Sequence, residues 1–331
     1  MALQLKVAGR TDRGLVRPGN EDYLHLDEKN TVYAVCDGMG GHQAGEVASM
    51  TASATIRTLF NHFRNDLTGD ERLAIEHRLP LSGDVLVKAI RLANRAVFQK
   101  AAFDPAMSGM GTTIVAAAFE DDLMSVAHVG DSRAYRLETK QLQPLTRDHS
   151  WVSELRETQD VREDDLMSMV SRNVITRALG VRETVEVDYR LMRVKPGDIF
   201  ILCSDGLCGF ADDDEIFSAA NQVRDNVNRI VDDLIQMAND RGGSDNITVI
   251  AIEVQKVDQT DHSEIDVITF PEETEELVQA EDDWLSKLVI FKAQPSTEPT
   301  KRSSVNKWIL TLIFIAFILA ATAIIYFQGI K

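Results

Sequence analysis

Short β-branched and apolar runs that stop at an acid beside a glycine or asparagine constrain this chain more than anything else. Such runs lie at 32–36, 112–119, 123–129, 199–203 and 247–254, each bounded by Gly, Asp or Asn. They are too short for helices and too well punctuated for one long element, so they predict strands. Between groups of them lie longer amphipathic segments, at 44–63, 84–100 and 226–239. In the second, Leu86, Ala89, Ile90, Ala93 and Val97 form one apolar stripe; in the third, Val227, Ile230, Val231, Leu234 and Ala238 do so. These helices come in pairs between strand groups instead of alternating with single strands. That arrangement predicts α+β layers in preference to a doubly wound parallel sheet.

Acids recur at the ends of these strands. Asp37 follows VYAVC and precedes Gly38; Asp131 follows SVAHVG; Asp205 follows IFILCS and precedes Gly206; Asp245 stands in GGSDN before ITVIAIE. Any one Asp-Gly is first of all a turn. Four acids in the same setting ask for more, because gathered carboxylates repel each other unless a cation holds them. Oxygen-only donors suit Mg²⁺ or Mn²⁺ and disfavour zinc. A pair of such cations is a common device for phosphoryl hydrolysis. A phosphate also needs a positive group, and Arg17 in RPGNED can meet its oxygens with two parallel hydrogen bonds, although taken alone it reads first as a surface arginine.

The net charge of −17 argues against a nucleic-acid binder, including a two-metal nuclease, which would need a basic face. Cys36, Cys203 and Cys208 are too few and wrongly spaced for a disulfide framework; buried thiols in a reducing, cytosolic compartment are expected. From 256 to 307 acids crowd together, Glu272, Glu273, Glu275 and Glu276 among them, before a Pro/Ser/Thr/Lys stretch. This reads as a solvated tether with a short helix near 281–291. It leads to WILTLIFIAFILAATAIIYF at 308–327, which carries no charge. A bilayer core asks for about 20 helical residues. A single membrane-spanning helix is expected there. Lys301, Arg302 and Lys307 lie just before it, which keeps the large preceding part cytoplasmic.

The ordered motifs TDRGLVRPGNED, VYAVCDGMGGHQAGEVAS, MGTTIVAAAF, SVAHVGDSRAYRL, LTRDHSWV, VITRALG, ILCSDGLCGF and GGSDNITVIAIE resemble the bacterial PP2C-type (PPM) protein phosphatases over about residues 5–255. The resemblance implies a four-layer αββα sandwich of two antiparallel sheets flanked by helices, and hydrolysis of phosphoserine and phosphothreonine in proteins. It implies two Mn²⁺ or Mg²⁺ ions and a third, weaker site. Asp37 would bridge the two ions. The Gly38 carbonyl and, through water, Glu21 would serve one; Asp205 and Asp245 would hold the other. Asp131 would join Asp205 at the third site, Arg17 would bind substrate phosphate, and Asp22 would lie near the waters on the metals. In animal members a histidine proposed as general acid follows the Asp-Gly. Met39 stands there, and His42, as in bacterial members, is a candidate instead; a loop histidine capping the next helix is the plainer reading. Residues 147–180 match the family's variable flap. The implied partners are phosphorylated proteins, a Ser/Thr kinase and its substrates, met by a monomer held at the inner membrane. The rival, a tethered phosphoprotein-binding pseudophosphatase, would be free to lose Asp37, Asp205 and Asp245, which this chain keeps.

Overall fold

Strands that are apolar on both faces need a cover on each, and this chain supplies two. The computed structural model describes residues 3–41, 43–66, 79–158, 174–258 and 265–271. The chain divides into two compact units, Met1–Val278 and Gln279–Lys331, and all described residues belong to the first.

One sheet has the order β1 (Gln4–Asp12), β11 (Ile247–Lys256), β10 (Ile199–Cys203), β7 (Arg133–Leu137), β8 (Leu142–Pro144). The other runs β12 (Ile265–Phe270), β9 (Val187–Arg193), β6 (Leu123–Val129), β5 (Ile114–Glu120), β3 (Val32–Met39), β2 (Asp22–Asp27), with β4 (Gly111–Thr112) paired to β3. Every strand pairing is antiparallel. The doubly wound parallel alternative is therefore excluded, and the α+β reading stands.

Side-chain alternation assigns each residue to a layer. Phe200, Leu202, Ile250 and Ile252 face the other sheet and meet Tyr33, Val35, Val115, Ala117 and Val126 from it. Their neighbours Ile201, Cys203, Val249 and Ala251 face outward, against Ile216 and Ala220 of α5 (Asp213–Gln222) and Val227, Ile230, Val231 and Leu234 of α6 (Val227–Asp240). Burying one such aliphatic side chain contributes roughly 1.5–3 kcal/mol. The antiparallel strands thus lack the polar outer face that usually marks them, because each sheet is an inner layer. On the far side α1 (Gln43–Asp66) packs against β2 and β3, and α2 (Leu81–Phe103) against β5, β6 and β9. All three cysteines are free and buried, as expected of inert thiols.

The run expected at 112–119 is broken at Thr113, where the backbone leaves one pairing and starts another. A larger difference lies in the expected tether. Residues 265–270 form a strand on the edge of the second sheet, Phe270 opposite Val187 and Ile268 opposite Tyr189. Acidic flanks disguised it. Four contacts fasten it: the Phe270 ring packs edge-on to Tyr189 at 5.9 Å, the Arg91 guanidinium lies over Phe270 and donates to the Pro271 carbonyl at 2.7 Å, and the Thr269 hydroxyl donates to Asp188 at 2.9 Å. Among the described residues no helix is long and apolar enough to cross a membrane. The expected span 308–327, the short helix near 281–291 and His42 lie outside the described residues.

If β12 belongs to the fold, Phe270→Ala should destabilise the chain by about 3 kcal/mol, since a buried aromatic is removed. Urea denaturation of both forms measures this; an unchanged midpoint would return the strand to the tether.

Candidate active site

Where β3 ends, two acids face each other. Asp22, the first residue of β2, pairs in register with Asp37 near the end of β3. Asp205 opens the short helix α4 (Asp205–Cys208) directly after β10, Asp131 follows β6, and Asp245 precedes β11. All come from the same end of the sandwich. Asp205 is their common neighbour: its charge is felt at Asp22, Asp37 and Asp131, and the charge of Asp245 is felt at Asp205.

The electrostatic result is a set of carboxyls that resist ionising together. Burial, then the charges of Asp22, Asp205 and Asp131, pushes the Asp37 carboxyl well above the carboxylate range. Burial and the charge of Asp245 raise Asp205, with Arg17 working the other way. Asp22 is pushed up to about 7 by burial, against hydrogen bonds that lower it. Asp131 is likewise pushed up to about 7, by burial and then by Asp205 and Asp148.

These acids are fixed by neutral donors. The Ser204 and Thr248 hydroxyls donate to one Asp22 oxygen at 2.8 and 2.6 Å. The other, Asp22 Oδ1, and Asp131 Oδ1 are buried without a hydrogen-bond partner. The Thr113 hydroxyl accepts from the Asp37 backbone N–H at 3.3 Å and meets the Ser132 hydroxyl at 2.7 Å, so one side chain spaces the Asp37 and Asp131 loops. Asn246 ties the 13–21 loop to β11: it accepts from Glu21 N–H at 2.8 Å and donates to the carbonyls of Arg13 and Gly19, each at 2.9 Å. Glu21 and Gly38 are joined by a hydrogen bond from Gly38 N–H to the Glu21 carbonyl at 3.1 Å. Only glycine fits at 38, since a Cβ there would stand 2.2 Å from the Gly45 carbonyl oxygen. Arg17 sits at the rim, half exposed, and donates to Asp245 at 2.8 Å.

Orphaned, buried carboxylate oxygens with raised proton affinity fit a hard divalent cation. The structure thus brings Asp22, Asp37, Asp131, Asp205, Asp245 and Arg17 together, with Gly38 beside Asp37 in β3 and Glu21 on the adjoining loop. The residues that fix this geometry, Thr113, Ser204, Asn246 and Thr248, went unread in the sequence. Ser204 and Asn246 carried one signal, a hydroxyl or amide directly beside a strand-end acid; Thr113 and Thr248 carried none.

The protein phosphatase 2C family model matches residues 17–249. The serine/threonine phosphatase Stp of Listeria innocua is 37% identical over 247 residues, which cover 74% of this chain and 94% of that one. The crystal structure of the Mycobacterium tuberculosis serine/threonine phosphatase PstP superposes with a TM-score of 0.66 at 34% identity, covering 77% of this chain and all of that one. A structure of the PstP catalytic domain in complex with two manganese ions gives 0.65 at 33% identity, again over 77% of this chain and all of that one. With the strand-end acids gathered as described, the chain belongs to the protein phosphatase 2C family.

Proposed function

We infer that this chain hydrolyses phosphoserine and phosphothreonine in proteins at a centre of divalent cations, Mn²⁺ or Mg²⁺. The observation that carries this reading is the buried knot of carboxyls around Asp205, opposed by the charges of Arg17 at the rim and Arg133 beside Asp131. Asp37, Asp205 and Asp245, with the Gly38 carbonyl and Glu21 through water, would hold two cations; Asp131 with Asp205 would hold a third. Bound there, the cations neutralise the phosphoryl oxygens and acidify the attacking water.

The chain's own residues supply the rest. Asp22, gripped by Ser204 and Thr248, feels the charges of Asp205 and Asp245 and can order water or hold a proton at its free Oδ1. Arg17 is half exposed on Asp245, so its guanidinium can turn to the substrate phosphate once a cation takes over that carboxylate. His42 is the candidate proton donor to the leaving serine or threonine oxygen.

The substrates we propose are phosphoproteins, among them a Ser/Thr kinase and its targets. We also propose that 308–327 anchors a monomeric enzyme in the inner membrane, the catalytic unit on the cytoplasmic side. Twenty uncharged residues preceded by Lys301, Arg302 and Lys307 support this.

Activity, stability against pH and cell fractionation test this in turn. Phosphothreonine-peptide hydrolysis should vanish in EDTA and return with Mn²⁺ or Mg²⁺. Asp37→Asn should lower kcat at least about 10²-fold, because several kcal/mol of charge stabilisation goes with the ligand; near-normal turnover would remove Asp37 from the centre.

The second measurement concerns pH. Asp22 and Asp131 keep their protons to about 7 in the fold, against 3.8 as the ordinary value. The folded state therefore binds more protons than the unfolded one between those values. The stability they contribute is full below pH 4 and is lost as pH rises through 7. Cations compete with those protons, so the rise in Tm on adding Mn²⁺ should be larger at pH 8 than at pH 5. An equal rise at both would count against cation binding at these acids.

The third concerns the anchor. In cell fractionation the full-length chain should stay with membranes through a carbonate wash, and release by carbonate would refute the span.

A further inference from the structure

The segment Arg147–Ser150 has no part in the mechanism above, yet it grips the loop that carries Asp131. His149 holds Gly130 twice: its backbone N–H donates to the Gly130 carbonyl at 2.9 Å, and its Nδ1 accepts from the Gly130 N–H at 3.1 Å. Gly130 has a φ of 113°, and a Cβ there would stand 2.5 Å from the Thr113 Cβ, so the turn admits only glycine and does not hold its own shape through a side chain. On the other flank, Arg133 Nε and Nη2 donate to the two oxygens of Asp148, each at 2.7 Å. Asp131 lies between these grips, its Oδ1 buried and unpartnered.

The ring of His149 is itself fixed. Because Nδ1 accepts, the ring hydrogen is on Nε2, which faces Asp188 Oδ2 at 3.4 Å. Asp188 Oδ1 receives Arg177 Nη1 at 3.2 Å and the Thr269 hydroxyl at 2.9 Å. The His128 ring stacks on His149 at 4.6 Å, held by its own Nε2 on the Arg147 carbonyl at 2.7 Å. His128, His149 and Asp188 bring one ligand atom each within 4.8 Å of one another, a spacing that suits a metal ion. The chemistry speaks against one. Both nitrogens of His149 are engaged, and Arg177 already brings a cation to Asp188 and to within 3.5 Å of His149 Nε2. The cluster orients a ring and does not ligate.

We propose that His149 is a positioning residue for Asp131: it locks Gly130 and so aims the Asp131 carboxylate into the acid cluster, with Asp148 securing the far flank through Arg133. The consequence for metal binding rests on the reading of Asp131 as a cation ligand.

The test uses the full-length chain and three variants of position 149. His149→Leu removes the acceptor. His149→Gln keeps polarity but reaches the Nε2 position, and serves as the loss variant if leucine prevents folding. His149→Asn places a carbonyl near Nδ1 and should rescue. In EDTA, amide hydrogen exchange over 129–133 should rise ~10-fold or more in the loss variant and stay at the wild-type level in His149→Asn. In Mn²⁺ calorimetry the weakest site should lose ~10-fold in affinity in the loss variant, the usual size for a residue that orients a ligand. Combining it with Asp131→Asn should give no loss beyond Asp131→Asn alone. Unchanged exchange, or losses that add in the double variant, would overturn the positioning role. A wild-type isotherm for Asp131→Asn would instead overturn Asp131 as a ligand, and the exchange data, taken without metal, would still decide the role of His149.

Discussion

Mutual repulsion among carboxyls buried at one end of the sandwich is the constraint on which the rest depends. Burial first, and after it the charges these acids exert on one another, raises the proton affinity of Asp22, Asp37, Asp131 and Asp205. A loop could relax such strain by swinging an acid into water. Strand ends cannot, since their backbones are pinned by ladder hydrogen bonds on both sides. Each acid therefore stands at the end of a strand or directly beside one.

Pinning demands a stiff support, and the two inner sheets provide it. Strands β3, β5, β6, β10 and β11 are buried along nearly their whole length, apolar on both faces. That continuous apolarity also made them legible in the sequence, where 32–36, 123–129, 199–203 and 247–254 stand out. The paired helices were legible for the related reason that one stripe of each must cover a sheet. The strand-end acids could be read because a charged residue directly after a buried run is conspicuous.

What escaped the sequence was pairing at long range. Nothing local in IDVITF says that β9, about eighty residues earlier, offers an open edge; its acidic neighbourhood argued for a solvated tether. Nor does His149 look different from any polar loop residue until Gly130, nineteen positions away, is found against its ring. Thr113 and Asn246 share this character. Each looks like an ordinary strand-end or turn residue, and each spans two loops that only the assembled sheets bring together.

The kind of residue chosen to hold the acids carries a physical meaning. A lysine or arginine in the cluster would relieve the repulsion most simply, at the cost of neutralising the charge a divalent cation needs. Hydroxyls, amides and backbone N–H groups have no net charge. Ser204 and Thr248 fix one oxygen of Asp22 and leave the other bare; the Thr113 and Asn246 side chains hold backbone, and the Asn246 N–H, itself uncharged, donates to Asp245 Oδ1 at 2.8 Å. Arg133 lies beside Asp131, yet its guanidinium is taken up by both oxygens of Asp148. Arg17 is a cationic side chain that does bond directly to one of the five acids, Asp245, and it does so from the half-exposed rim where it can let go. The geometry is thus set by neutral dipoles and the charge is kept in reserve, so the position of the carboxylates and their affinity for cations are controlled by separate sets of side chains.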